Sequence, residues 1–208
     1  ISEDPGQTEN LAADHPQIVS QMEAYYSEWW ESVEEYVEDT PVFPLDTASD
    51  TDLELTLFDW QGYDGTENLT VQSTVRKGPA INGYWTIDVQ QQGTYEITLR
   101  RWPPEVCIPM TAGLPSYEPT DNPDGLRDHW PAGNRDHFPE GRALPIAEAV
   151  CDIGDEYRSA HIDDTASEVR FRIALTEGEY ELNTAFRDET GEELCGAYYA
   201  NISPVQMD

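Results

Sequence analysis

The chain has 208 residues, 38% of them hydrophobic, with six Trp, eleven Tyr and five Phe; that is enough apolar material for a packed core and excludes a disordered acidic tail. Asp and Glu number 42 against 11 basic residues, all Arg except Lys77, for a net charge of −31. Such a balance excludes nucleic acid and anionic membrane surfaces as partners, because both need basic patches, and no apolar run reaches the roughly 18 residues of a membrane span.

The acids run through every segment rather than forming a tail, so the chain repels itself in dilute buffer. In about 1 M salt the screening length falls to about 3 Å and that repulsion is suppressed. The charge therefore reads as adaptation to a high-salt environment, with a high-salt cytoplasm the favoured compartment, rather than as a cation-binding device. Cys107, Cys151 and Cys195 are odd in number and form no C-x-x-C pair, so neither a disulfide framework nor a cysteine zinc site is expected.

In chain order, the first element is a helix over 14–39. Asp14 is placed to cap it, and Gln17 stands at the capping-box spacing. Ile18, Met22, Tyr25, Trp29, Val33 and Tyr36 recur at spacings of four and three, flanked by Val19, Tyr26, Trp30 and Val37, with glutamates over much of the remainder. This broad aromatic face either packs on the chain's own sheet or, through Trp29 and Trp30, forms an interface with a further domain. The run 40–52, "TPVFPLDTASDTD", reads as a linker, which divides the chain into 1–45 and 46–208.

After it the period changes to two. Leu53–Leu57, Trp85–Val89, Tyr95–Leu99, Val169–Leu175 and Tyr180–Phe186 alternate apolar and polar, with turns at Gly93, Gly178 and Gly191, and "GAYYANISPV" makes a last strand. No βαβ alternation occurs, so the expected fold is an antiparallel, jelly-roll-like β-sandwich preceded by one long amphipathic helix. A Pro-, Gly- and Asp-rich stretch at 103–143 has no periodicity of its own.

Candidate chemistry is sparse. "CIPMT" at 107–111 approaches the hydrolase motif C-x-P-x-R, but Thr111 stands where Arg is required, and the match reads as coincidence. Asp121, Asp124, Asp128, His129, Asp136 and His137 share one loop, yet their spacing fails the calcium-loop pattern and the two histidines lack an obvious third zinc ligand; no metal site is expected. There is no G-x-S-x-G, P-loop or G-x-G-x-x-G. Asn68 and Asn201 head glycosylation acceptor triplets that matter only in a secreted chain. Among the aromatics, Trp60 and Trp130 stand at loop edges and suit sugar stacking, whereas Trp85 and Trp102 read as core or rim.

Several phrases taken together carry a resemblance. "EDPGQTENLAADHPQIVSQM" resembles the stretch that follows the last sheet strand of type I sulfatases (arylsulfatases) and leads into their C-terminal helix. "FDWQG", "RKGPAINGYWTIDV", "GTYEITLRRWP", "TAGLP", "GRALPIAEA" and "ELCGAYYANI" are similar to the accessory β-domain that some arylsulfatase-like proteins carry. The resemblance spans nearly the whole chain in order, and residues 115–140 depart from it.

What it implies is a helix finishing a catalytic domain upstream in the same chain, with the sandwich beside it. Family catalysis uses a formylglycine made from C/S-x-P-x-R and a bound calcium; both are expected in the upstream domain, and no catalytic residue carries over onto this sequence. Asp59, Trp60, Arg76, Asn82 and Arg101, at or near strand ends, are the candidates for reaching a sulfated or carbohydrate substrate, the arginines by bidentate pairing. The bland alternative is that those arginines pair with local acids. A free-standing carbohydrate-binding sandwich and a plain protein-interaction domain are the competing functions.

Overall fold

The computed structural model describes residues 6, 8, 10–37, 40–46, 52–63, 65, 72–116 and 138–205. The chain forms two compact units, Ile1–Thr40 and Pro41–Asp208.

The first unit is built on α1 (Pro16–Val33), continued by a 3₁₀ turn at Glu34–Tyr36. Proline at the first helical position costs nothing, since that amide has no partner within the helix and its φ is already helical. Asp14 does not cap. His15 takes the N-cap position without a side-chain hydrogen bond, because the amides of Asp14 and His15 already turn back onto the Leu11 carbonyl at 3.0 and 3.1 Å. The helix therefore starts one residue later than the capping-box spacing suggests. None of its residues is buried.

Among the described residues the second unit holds ten strands: β1 (Val42–Leu45), β2 (Leu53–Thr56), β3 (Tyr84–Val89), β4 (Gly93–Arg100), β5 (Glu148–Ile153), β6 (Glu156–His161), β7 (Val169–Leu175), β8 (Gly178–Arg187), β9 (Glu193–Cys195) and β10 (Tyr199–Pro204). A short helix, α2 (Gln72–Lys77), lies between β2 and β3. One sheet runs β1-β3-β8-β5-β6, with β9 alongside β8; the other runs β2-β10-β4-β7. The first four strands alternate between the sheets, and β3 pairs with β8 while β4 pairs with β7, one pair nested within the other in sequence, a jelly-roll-like sandwich.

Alternation set the register. Trp85, Ile87 and Val89 from one sheet and Tyr95, Ile97 and Leu99 from the other all point inward, each at most 1% exposed, and join a single core. Burying each such side chain is worth about 1.5–3 kcal/mol. The Trp85 indole N–H, which needs a partner at this depth, donates to the Thr56 carbonyl at 2.9 Å.

Two departures have physical causes. Residues 42–45 are not linker. They form β1, which pairs parallel to β3 from Val42↔Thr86 to Leu45↔Val89, so the unit boundary falls at Thr40/Pro41 and the first sheet is mixed. Pro44 is tolerated because β1 lies at the sheet edge, where its missing N–H breaks no ladder. The other is the β5–β6 hairpin, which turns at Gly154 with φ +62°. β5 is apolar at three consecutive buried positions, Ala149, Val150 and Cys151, and so shows no period of two.

Candidate functional site

The five sequence candidates fall into two groups inside the sandwich unit. The first surrounds Gly196. Trp60, 9% exposed, lies at 6.0 Å centroid distance from both Trp85 and Tyr198, tilted 54° against the first and edge-on at 62° to the second. Asn82 donates to the Thr184 carbonyl at 2.7 Å and to Glu193 Oε1 at 2.9 Å, while its Oδ1 accepts from the Gly83 amide at 2.8 Å. A Cβ at residue 196 would stand 2.1 Å from Asn82 Oδ1 and 2.9 Å from the Trp60 ring, which is why the "CGAYY" segment needs glycine there. Asp59 sits next to Trp60 and closes a capping box: its Oδ2 accepts from the Thr56 amide at 2.8 Å and the Thr56 hydroxyl at 3.0 Å.

The second group clamps the stem of the long loop. Arg101 has no exposed surface. Its Nη1 donates to the Met110 and Ala112 carbonyls at 3.1 and 3.2 Å, its Nη2 to the Arg142 carbonyl at 2.5 Å, and its guanidinium lies 4.5 Å over the Trp102 ring. Arg76, 6% exposed, donates through Nη1 to the Pro115 and Pro139 carbonyls at 2.8 and 3.1 Å, and through Nε to Gln72 at 3.3 Å. The two arginines are joined through residue 142, whose amide donates to the Arg76 carbonyl at 2.7 Å. Residues 110–115 and 138–144 are thereby held side by side, tightly enough that a Cβ at Gly113 would stand 1.9 Å from the Gly141 carbonyl oxygen.

Neither arginine forms an ion pair with a carboxylate among the described residues. Burial lowers the pKa of each, and for Arg101 the neighbouring Cys195 and Tyr198 pull the other way. Carbonyl dipoles take the place of a counter-ion. All five candidates thus make internal contacts, which no local pattern could signal because the carbonyls that Arg76 and Arg101 hold lie up to 63 residues away.

The exposed arginines behave differently. On the outer face of the second sheet a ladder runs Arg172–Glu96–Arg170–Glu168–Arg100. Partial burial pushes the Glu168 carboxyl up, but hydrogen bonds from Arg170 and Arg100 outweigh it and hold its pKa below the ordinary 4.5. Pairs this exposed contribute up to about 1 kcal/mol each.

The cysteines are all free. Burial pushes the thiol of Cys151 up to about 12 and that of Cys195 up to about 11, far from a nucleophile's range. Cys107 is exposed at φ 50°, and its Sγ–H donates to the Pro104 carbonyl at 3.0 Å. Trp130, His129, His137 and the loop aspartates 121, 124, 128 and 136 lie outside the described residues, as does Asn68. Among the described residues no cluster of His, Cys, Asp or Glu is arranged to hold a metal.

On the first unit, α1 presents Ile18, Met22, Tyr25, Tyr26, Trp29 and Trp30, and the turn after it adds Tyr36 and Val37, all between 38% and 74% exposed. Tyr26 and Trp30 stack with rings 16° apart at 6.2 Å, so the patch is pre-assembled rather than splayed. The chain matches no family model, no curated protein and no solved structure.

Proposed function

We propose that the chain is the non-catalytic C-terminal portion of a sulfuric-ester hydrolase of the arylsulfatase type, with α1 docking on an upstream catalytic domain and the sandwich acting as an accessory domain. The observation that carries the docking part is α1 with the turn that continues it: six large exposed apolar side chains on the helix, two more at Tyr36 and Val37, and no buried residue. Aromatic residues carry roughly 150–250 Å² each, so the five rings of this face leave on the order of 500 Å² in water before the aliphatic residues are added. That already matches the largest apolar patch of an ordinary monomer, about 300–600 Å², and approaches the roughly 800 Å² per partner of a standard interface.

The sulfatase part rests on the phrase-by-phrase resemblance. Support of a second kind comes from the sandwich, where Asp59, Trp60, Arg76, Asn82 and Arg101 brace loops and caps. In this reading they are the frame of an accessory domain, while calcium, formylglycine and the residues that act on the ester belong to the upstream domain.

Acrylamide quenching tests the docking directly. In the isolated 208 residues Trp29 and Trp30 are readily quenched, and replacing both by Phe removes most of the quenchable emission; in the native protein the same two indoles are protected. Equal quenching in both forms contradicts docking through α1, and hydrolysis of an aryl sulfate by the isolated chain in molar salt contradicts the non-catalytic assignment.

A further inference from the structure

A second surface, on the sandwich, is built by register alone. Across the outer face of the first sheet, Gln61 pairs with Tyr84, Tyr84 with Asn183, Asn183 with Asp152, and Asp152 with Tyr157. Residues directly opposite one another in a ladder share a face, so these five side chains stand in one lateral row. That face points away from the core, since the residues flanking the row along the strands, Trp85, Leu182, Cys151 and Ile153, are fully buried. Strands lie about 4.8 Å apart, which sets the two tyrosines about 14 Å apart with an amide and a carboxylate between them.

Each end of the row is held. A Cβ at Gly62 would stand 2.6 Å from the Tyr84 ring, so that ring lies directly on the Gly62 backbone. At the other end Tyr157, 51% exposed, accepts a hydrogen bond at its phenol oxygen from Arg187 at 3.1 Å. Gln61 is also fixed, by the Thr86 hydroxyl at 2.6 Å and by its own donation to the Pro41 carbonyl. Between them, Asn183 and Asp152 make no side-chain hydrogen bond to any described residue, leaving two donors and several acceptors pointed at solvent.

Charge selects the occupant. Asp152 lies in the row and Glu181 one step away along β8, opposite Thr86, and the two guanidinium groups that touch Tyr157, those of Arg187 and Arg158, are paired with Glu148 and Glu156. On a chain of net charge −31 such a face repels polyanions and acidic peptides alike. A hydroxyl-rich chain without charge meets no such penalty: its ring faces stack on phenols and its hydroxyls satisfy amide and carboxylate. Rings fixed in advance lower the ordering cost of binding.

We propose that this row, Tyr84–Asn183–Asp152–Tyr157, binds an uncharged linear glycan laid across the strands, the tyrosines stacking on sugar rings and Asn183 and Asp152 accepting and donating to the hydroxyls between. The row contains no tryptophan, and the assignment does not depend on the chain's place in a sulfatase.

Titration calorimetry of the full chain in molar KCl tests it, with cellohexaose, mannohexaose and xylohexaose as neutral probes and hexagalacturonate as the anionic one. At least one neutral hexasaccharide binds, and more tightly than hexagalacturonate. Tyr157→Ala, on an exposed edge strand where the fold does not depend on it, weakens binding about tenfold, whereas Tyr157→Phe, which keeps the ring and loses the Arg187 contact, binds within a factor of a few of the parent. Asn183→Ala weakens binding with the thermal midpoint unchanged. Three results would each overturn the assignment: no neutral hexasaccharide binds, which leaves the face to a protein partner; hexagalacturonate binds more tightly; or Tyr157→Ala binds as the parent does.

Discussion

Replacing Arg101 by Ala is expected to destabilise the sandwich unit by about 4 kcal/mol. The side chain has no exposed surface and supplies the donors for the Met110, Ala112 and Arg142 carbonyls. The Ala112 carbonyl keeps the Trp102 indole N–H at 3.0 Å, but the Met110 and Arg142 carbonyls lose this donor at about 1–3 kcal/mol each, and the costs are not additive because the freed loops move to recover water. The cavity adds to the loss, as does the stacking on Trp102. Lys at this position recovers less than half, since an ammonium cannot fork toward carbonyls on two separate segments. Urea unfolding at fixed KCl measures the loss, and limited proteolysis should show new cleavage in 103–116 or 138–147. A loss below about 1 kcal/mol would mean that core packing, not the guanidinium, holds the loop stem.

The second large effect is that of salt. With 42 acids against 11 bases, carboxylates outnumber cations almost four to one, so the Arg–Glu contacts seen among the described residues of the sandwich unit leave a large net repulsion. The first 75 residues contain no Lys or Arg at all. The screening length shrinks from about 30 Å at 0.01 M to about 3 Å at 1 M. If each excess carboxylate carries on the order of 0.1 kcal/mol of repulsion in water, unfolding free energy rises by about 3 kcal/mol over that range. Choline chloride should then serve nearly as well as KCl. Stability independent of salt would contradict the high-salt reading, and stabilisation by potassium or calcium alone would point to bound cations instead.

Strands were legible where one face is wet. In β3, β4, β7 and β8 the inward residues are apolar and the outward ones polar, so a period of two survives in the sequence. It fails for β5, where Val150 on the outer side is as buried as its neighbours, and for β6, an edge strand whose exposed residues on both faces give no apolar period. β1 was hidden by the prolines that its edge position allows. The helix was plain from its stripe, but no sequence pattern says what covers such a stripe, and within its own unit α1 buries none of its residues.

The candidate residues were chosen by chemistry, arginine for anions and tryptophan for sugars, and chemistry alone cannot see that Arg76 and Arg101 spend their donors on carbonyls brought in from distant loops. The Tyr84–Asn183–Asp152–Tyr157 row was invisible for a related reason. Its members come from four strands, and only the ladder pairing between them puts them on one line.

The central claim, that this chain completes a larger hydrolase, is tested most directly by the intact mass of the native protein together with peptides mapped upstream of Ile1. The account predicts a product more than twice the 23.5 kDa of this chain, carrying a C-x-P-x-R peptide whose cysteine has become formylglycine. A native mass of 23.5 kDa would contradict it and leave a free-standing sandwich whose function is binding.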